Sequence, residues 1–328
     1  MATVIASQAL ISGAFSLTRQ AIQLGYSPRV NVRHTSPAHM GQIYISSVNW
    51  LLMMACIGLV LGFRHSANLA AAYGLAVTTT MVITAILFYL VARERFGWPR
   101  WTIAPLCALF LVVDLAFFGA TLFKIPDGGW FPLVAGIAVF TVLATWRTGR
   151  HLVRERLLHG GLPLRQFIED LGHTPPPRVP GTAAYLFAAP GVTPPGLLAA
   201  LRHADALHTE ILVISVVTDA VPQVHRLRRA EVTDLGEGFH QVVLHFGFME
   251  DPDVPTALAE RVVMKLGTDL DTLTYFVGRE SLRVTDHPGM ARWRERLFTV
   301  LSRNATSAAT YFHLPAAQTV EIGITVEL

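Results

Sequence analysis

The sequence has 328 residues, 52% of them hydrophobic and 15% charged, with a net charge of +3. That charge is unevenly placed: residues 1–150 hold ten Lys or Arg against three acids (Glu94, Asp114 and Asp127), while residues 151–328 hold 16 basic and 20 acidic groups. An apolar, basic half joined to a half of mixed charge is the pattern of membrane attachment. It offers no nucleic-acid signature, and Cys56 and Cys107, each inside an apolar run, exclude a secreted disulfide framework.

A helix needs about 20 apolar residues to cross the hydrocarbon of a bilayer. Five stretches answer to this in chain order: about 2–22, 42–63, 67–92, 101–123 and 129–147. None shows a polar face recurring with the helical period, so all read as spans rather than soluble core helices. The first is short and begins almost at Met1, like a helix cut in its middle. The chain is therefore expected to lack an N-terminal half.

Basic residues near the span ends set the orientation. Ten of them (Arg19, Arg29, Arg33, Arg93, Arg95, Arg100, Arg147, Arg150, Arg154 and Arg156) fall on one side, against Arg64 and Lys124 on the other. The first set belongs in the cytoplasm, which places everything after residue 150 there. Trp98, Trp101, Trp130 and Trp146 lie near span ends and read as interfacial anchors.

Three positions stand out within the spans. Tyr73 precedes Gly74, and Thr78-Thr79-Thr80 follow; neutral oxygens beside a glycine-loosened carbonyl are what a weak alkali-cation site needs. The bland alternative is that each threonine bonds its own carbonyl four residues back. Asp114 is the one acid in mid-span. An ionised carboxylate there costs about 2.5–3.5 kcal/mol, so it is neutral, paired or open to water, and such acids are candidates for ion paths and proton relays. The ion-path candidates are thus Tyr73, Thr78 and Asp114.

Residues 150–180 read as a basic, Pro-rich linker, and 181–328 as an α/β domain. Strands are expected over 183–189, 210–218, 239–249 and 272–278, and helices over 195–204 and 254–267. The domain holds no P-loop, no GxSxG and no metal-ligand spacing. His240 and His245, five apart on a strand, point to opposite faces. His208 and Arg226–Arg229 read as solvated surface. No enzyme and no resident metal or cofactor is expected.

Several long strings resemble a known family. AAYGLAVTTTMVIT (71–84), VIASQALISGAFSLTRQAIQLGY (4–26), DLAFFGATLFKIPDGGWFPL (114–133), YFVGRESL (275–282), WRERLF (293–298) and the terminal VEIGITVEL are similar to segments of the Kup-type (HAK/KUP/KT) potassium uptake permeases. The resemblance runs the whole chain and corresponds to the last five spans and the C-terminal domain of that family. It implies a LeuT-like inverted-repeat transporter fold with a cytosolic α/β domain. It also implies proton-coupled potassium import with K⁺, H⁺ and the lipid bilayer as partners. A homodimer through the cytosolic domain and a place in the cell inner membrane belong to the same expectation. Tyr73, in the matching AAYGLAV motif, is the cation-site residue carried over. Thr79 stands where the family's AVTG has glycine, and Thr121 where asparagine is usual. The alternatives are another cation or amino-acid permease of the same fold, and a membrane-anchored domain that senses a nucleotide; the lone Asp114 and the hydroxyl-rich third span favour transport.

Overall fold

The computed structural model describes residues 1–34, 43–159, 161–262, 272–283 and 289–327. The chain divides into two compact units, Ser47–Val142 and Met1–Ser46 with Leu143–Leu328.

The first unit is helical because its sequence leaves the backbone no partner but itself in an apolar solvent. Helices α2 (Ser46–Phe63), α3 (Ser66–Glu94) and α4 (Arg100–Leu122) precede α5 (Trp130–His159). Four helical stretches are long and apolar enough to cross a membrane: Ser46–Phe63, Ser66–Glu94, Arg100–Leu122 and Ile125–Leu158 among the described residues. Residue 42, where the second span is expected to start, lies outside them. The stretch expected as the first span is a helix, α1 (Ala2–Gln23), but it is not one of these four. Its small and hydroxylic residues make it less apolar than its length suggests.

Between α4 and α5 the chain makes one turn of wide helix, Ile125–Gly129. Gly128 sits there at φ 134°, and a Cβ on it would lie 2.6 Å from the Asn68 carbonyl oxygen. Only glycine satisfies both the backbone angle and the close approach to the first turn of α3.

The second unit is built on a sheet. A two-residue antiparallel pair, β1 (Arg33–His34) with β2 (Ile43–Tyr44), precedes it in the chain. The main strands are β3 (Arg178–Leu186), β4 (Leu207–Asp219), β5 (Ala230–Gly236), β6 (Phe239–Gly247), β7 (Leu273–Arg283) and β8 (Thr319–Glu327). Their order is β5-β6-β4-β3-β7-β8, parallel throughout except for the antiparallel β5. Parallel strands need crossovers, and helices supply them: α7 (Pro195–Ala204) between β3 and β4, α8 (Val254–Arg261) between β6 and β7, and α9 (Arg292–Arg303) between β7 and β8. The helix expected over 254–267 begins in place; residues 263–267 lie outside the described residues.

The alternation of side chains sorts the strand residues between two cores. Ala183, Tyr185, Ile211 and Val213 face α7 and a further helix, α6 (Leu164–His173). Ala184, Leu212, Ile214, Val242 and Tyr275 face α8 and Leu314. The central strands are covered on both sides, which is why their sequences read as near-continuous apolar runs. A third cluster joins Trp146 and Val153 of α5 to Phe298 of α9 and Val326 of β8.

Two expectations need correction. The linker over 150–180 is not irregular: α5 continues to His159, and the amphipathic α6 occupies Leu164–His173. Trp146 is not an interfacial anchor; it is buried against Phe298, ring centroids 5.4 Å apart.

Within this unit, the end of α1 is tied to the turn after β6. Arg19 donates through Nη2 to the Met249 carbonyl (3.1 Å), and Gln23 through Nε2 to the Glu250 carbonyl (2.7 Å). Glu250 is itself held by Arg229 (2.6 Å) and by the backbone N–H groups of Gly247 (2.6 Å) and Val224 (3.1 Å). Arg29 lies buried over the rings of Tyr311 and Phe312, at 4.8 and 5.1 Å, and its carbonyl accepts from the Thr306 N–H. Burial alone would push the Glu250 carboxyl up, but the Arg229 and backbone hydrogen bonds outweigh it and hold the group below its usual range. A depressed carboxyl stabilises the fold at pH values above the ordinary carboxylate range, and the contribution is lost as pH falls through the depressed value. Glu250→Gln should therefore lower unfolding stability by about 2 kcal/mol at neutral pH. The difference from wild type should shrink toward zero in acid. Chemical unfolding of the detergent-solubilised chain at several pH values checks both statements.

Candidate ion-path groove in the helical unit

Tyr73, Thr80 and Thr84 recur at helical spacing along one face of α3, and Phe110 and Asp114 come from α4. Together with Phe88 they line a groove of ≈ 660 Å³. Tyr73 is open at its rim, 73% exposed, while Asp114 is 8% exposed. Two of the three candidates read from the sequence thus meet in one groove, a phenol and a carboxyl lining the same space beside Thr80, Thr84 and apolar side chains.

Thr78 is elsewhere. It is 8% exposed and does not line the groove. Its Oγ1 lies 3.0 Å from the Gly74 carbonyl oxygen and 3.0 Å from Thr121 Oγ1 on α4. Thr79 and Thr80 likewise donate to the carbonyls four residues back, Leu75 (2.7 Å) and Ala76 (2.9 Å). The threonine run is therefore satisfied locally. The idea that Gly74 loosens α3 and frees a carbonyl does not hold, because α3 is continuous from Ser66 to Glu94 and Thr78 occupies the Gly74 oxygen. What Gly74 does is let α4 approach: a Cβ there would meet the Thr121 methyl at 3.7 Å.

Sequence reasoning weighed Thr80 only as one of three equivalent hydroxyls and missed Thr84. The periodic signal was available, since residues 73, 77, 80 and 84 share a face. Thr121 was noted only as a departure from the resembled pattern; the structure makes it the hydrogen-bond partner of Thr78. In the α/β unit, His240 lies 3.0 Å from Glu210 and His245 3.2 Å from Asp219, on opposite faces of β6. No cluster of metal-ligating side chains occurs among the described residues.

Long apolar helices, a groove with a buried acid between two of them, and an α/β domain following them in the chain define a polytopic membrane protein with an appended sheet domain. Residues 1–151 match the family model described as the K⁺ potassium transporter integral membrane domain, and residues 180–328 the one described as the K⁺ potassium transporter C-terminal domain. The chain belongs to the K⁺ potassium transporter family. It is 51% identical over 332 residues to the "Probable potassium transport system protein Kup" of Anaeromyxobacter sp. Fw109-5, covering 100% of this chain and 50% of that protein. It is 48% identical to the protein of that name from Myxococcus xanthus, covering 100% of this chain and 50% of the relative. The "Probable potassium transport system protein Kup 1" of Geobacter sulfurreducens is 49% identical, with 100% and 52% covered. The chain spans about half the length of these curated relatives.

The Thr78–Thr121 contact generates a prediction. Hydrogen bonds between membrane helices are worth about 0.6 kcal/mol on average in double-mutant cycles. Thr78→Val and Thr121→Val, singly and together, should give a coupling of that size in unfolding measurements in bicelles. A coupling of zero would mean the two hydroxyls are bonded only within their own helices.

Proposed function

We propose that this chain forms part of a membrane carrier that imports potassium with protons, and that the α3–α4 groove lies on the ion's path. The observation that carries the reading is the meeting of Tyr73 and Asp114 in one groove. A potassium ion entering the membrane must exchange water oxygens for protein oxygens, and the Tyr73 phenol offers one at the mouth. Proton coupling needs a group that gains and loses a proton within the membrane, and Asp114 is the acid buried there. The potassium in the relatives' names, at about half identity along the whole chain, supports the substrate.

The match of residues 180–328 to a domain described as C-terminal supports assigning the chain to the C-terminal half of such a carrier. The remaining half then supplies the partner helices that close the groove, in an inverted-repeat arrangement of the LeuT type, with α1 as a further span. The ten-to-two asymmetry of basic residues supports a cytoplasmic α/β domain in a protein of the cell inner membrane. For that domain we assign regulation and self-association into a homodimer rather than catalysis.

Three outcomes follow for a potassium-uptake-deficient strain expressing this chain joined to the remaining half of the Anaeromyxobacter relative. Tyr73→Phe, which keeps the ring and removes the oxygen, should raise the potassium or rubidium concentration for half-maximal uptake severalfold at unchanged expression. Asp114→Asn should flatten the dependence of uptake on external pH; wild-type pH dependence would make Asp114 a structural acid. This chain alone should not restore growth at low potassium, because it spans about half the length of the relatives it matches.

A further inference from the structure

Strand β8 is an edge. It pairs with β7 from Tyr275↔Thr319 to Arg283↔Glu327, and no other strand borders it among the described residues. A nine-residue edge leaves a row of backbone donors and acceptors open to a further strand. The opposite edge, β5, is seven residues long, largely exposed and carries Glu231 and Asp234 in its middle. Residues 320–326 of β8 hold no proline, lysine or arginine, and their single charge, Glu321, already faces Arg279 at 3.5 Å. The usual guards of an edge strand are missing from it.

The sequence of this edge is close to a palindrome. Val320-Glu321-Ile322-Gly323-Ile324-Thr325-Val326 reads nearly the same in both directions about Gly323. We propose that two copies of this chain associate by pairing their β8 strands antiparallel about Gly323, joining two six-stranded sheets into one. This names the surface for the self-association proposed above and rests on that reading. In this register Ile322 of one copy lies opposite Ile324 of the other, Val320 opposite Val326, and Glu321 opposite Thr325. Each pair is apolar with apolar or acid with hydroxyl, no like charges oppose, and the two-fold axis repeats every contact.

Gly323 supports the same arrangement. A Cβ there would meet nothing within 4 Å, so packing inside the chain does not require glycine. Glycine weakens a strand, and room for the close approach of another backbone is one of the uses that offset this cost. Val320 is 43% exposed while its opposite number, Val326, is buried with Trp146 and Phe298. Pairing would seat the exposed valine of each copy at the rim of the other's cluster.

The test uses the whole chain in detergent, with Cys56 and Cys107 changed to alanine. In the proposed register Gly323→Cys faces its own copy at a Cα separation of about 4.5–5.5 Å, within disulfide reach. Mild oxidation should convert most of it to a covalent dimer. Thr325→Cys alone should not cross-link, since two such residues lie about 13 Å apart. A mixture of Glu321→Cys and Thr325→Cys chains should cross-link. Thr325→Glu, which opposes two acids twice per dimer, should weaken dimerisation on the order of tenfold in light scattering. Equal cross-linking at 323 and 325, or none at 323 in a chain that light scattering shows to be dimeric, would overturn the β8 surface and leave self-association standing. A monomer at all concentrations would remove both. Occupation of the edge by a strand of an unrelated protein, with 323 protected from cross-linking, would likewise overturn the proposal.

Discussion

A polar group in hydrocarbon has no water to bond, and this constraint arranges the helical unit. Thr78, Thr79, Thr80 and Thr84 each turn back to a carbonyl of their own helix. The carboxyl of Asp114 is the exception, buried yet facing a groove. The mostly apolar lining matters to that carboxyl, since a low dielectric strengthens every electrostatic interaction inside it.

The α/β unit answers to a different solvent. Water is available to its loops, so its backbone can be satisfied in strands, with helices laid on both faces. Its surface can carry the balanced charge that the helical unit lacks. The attachment of α1 and the segment after it uses polar contacts: Arg19 and Gln23 to carbonyls, Arg29 to two aromatic faces, and Arg147 to the Tyr26 hydroxyl at 2.8 Å. These arginines were read from the sequence as markers of the cytoplasmic side. In the structure several of them are also ligands of the sheet domain, and Arg150 pairs with Glu280 of β7.

The legible parts of the sequence were those where one physical signal dominates. Unbroken apolar length marked α2 to α5, and doubly buried strands such as Leu207–Asp219 announced themselves as apolar runs. The edges were not legible. β5 is largely exposed and its sequence, AEVTDLG, carries no burial pattern. β8 was seen only as a string resembling a family terminus, since a glycine at its centre breaks the strand signal. α6 was hidden because prolines and charges on either side made Leu164–His173 look like linker. At the site, composition pointed to the hydroxyl-rich stretch of α3 but did not say which hydroxyl faces where. Helical phase separates Thr78, bonded to Thr121, from Thr80 and Thr84 in the groove, and phase is read only once the neighbour, α4, is known.

The cluster that joins Trp146 and Val153 to Phe298 and Val326 has a kinetic meaning. The last strand of the sheet closes on a helix made well over a hundred residues earlier, and β3 cannot take its second neighbour until β7 has been synthesised. The sheet domain therefore completes its core only once β8 has been synthesised, long after α5. Until then α5 and β3 present apolar surface on a nascent chain tethered beside a bilayer. Folding of the domain is consequently most exposed to misassembly before β8 is in place, and loss of that one strand would harm the domain far more than its nine residues suggest.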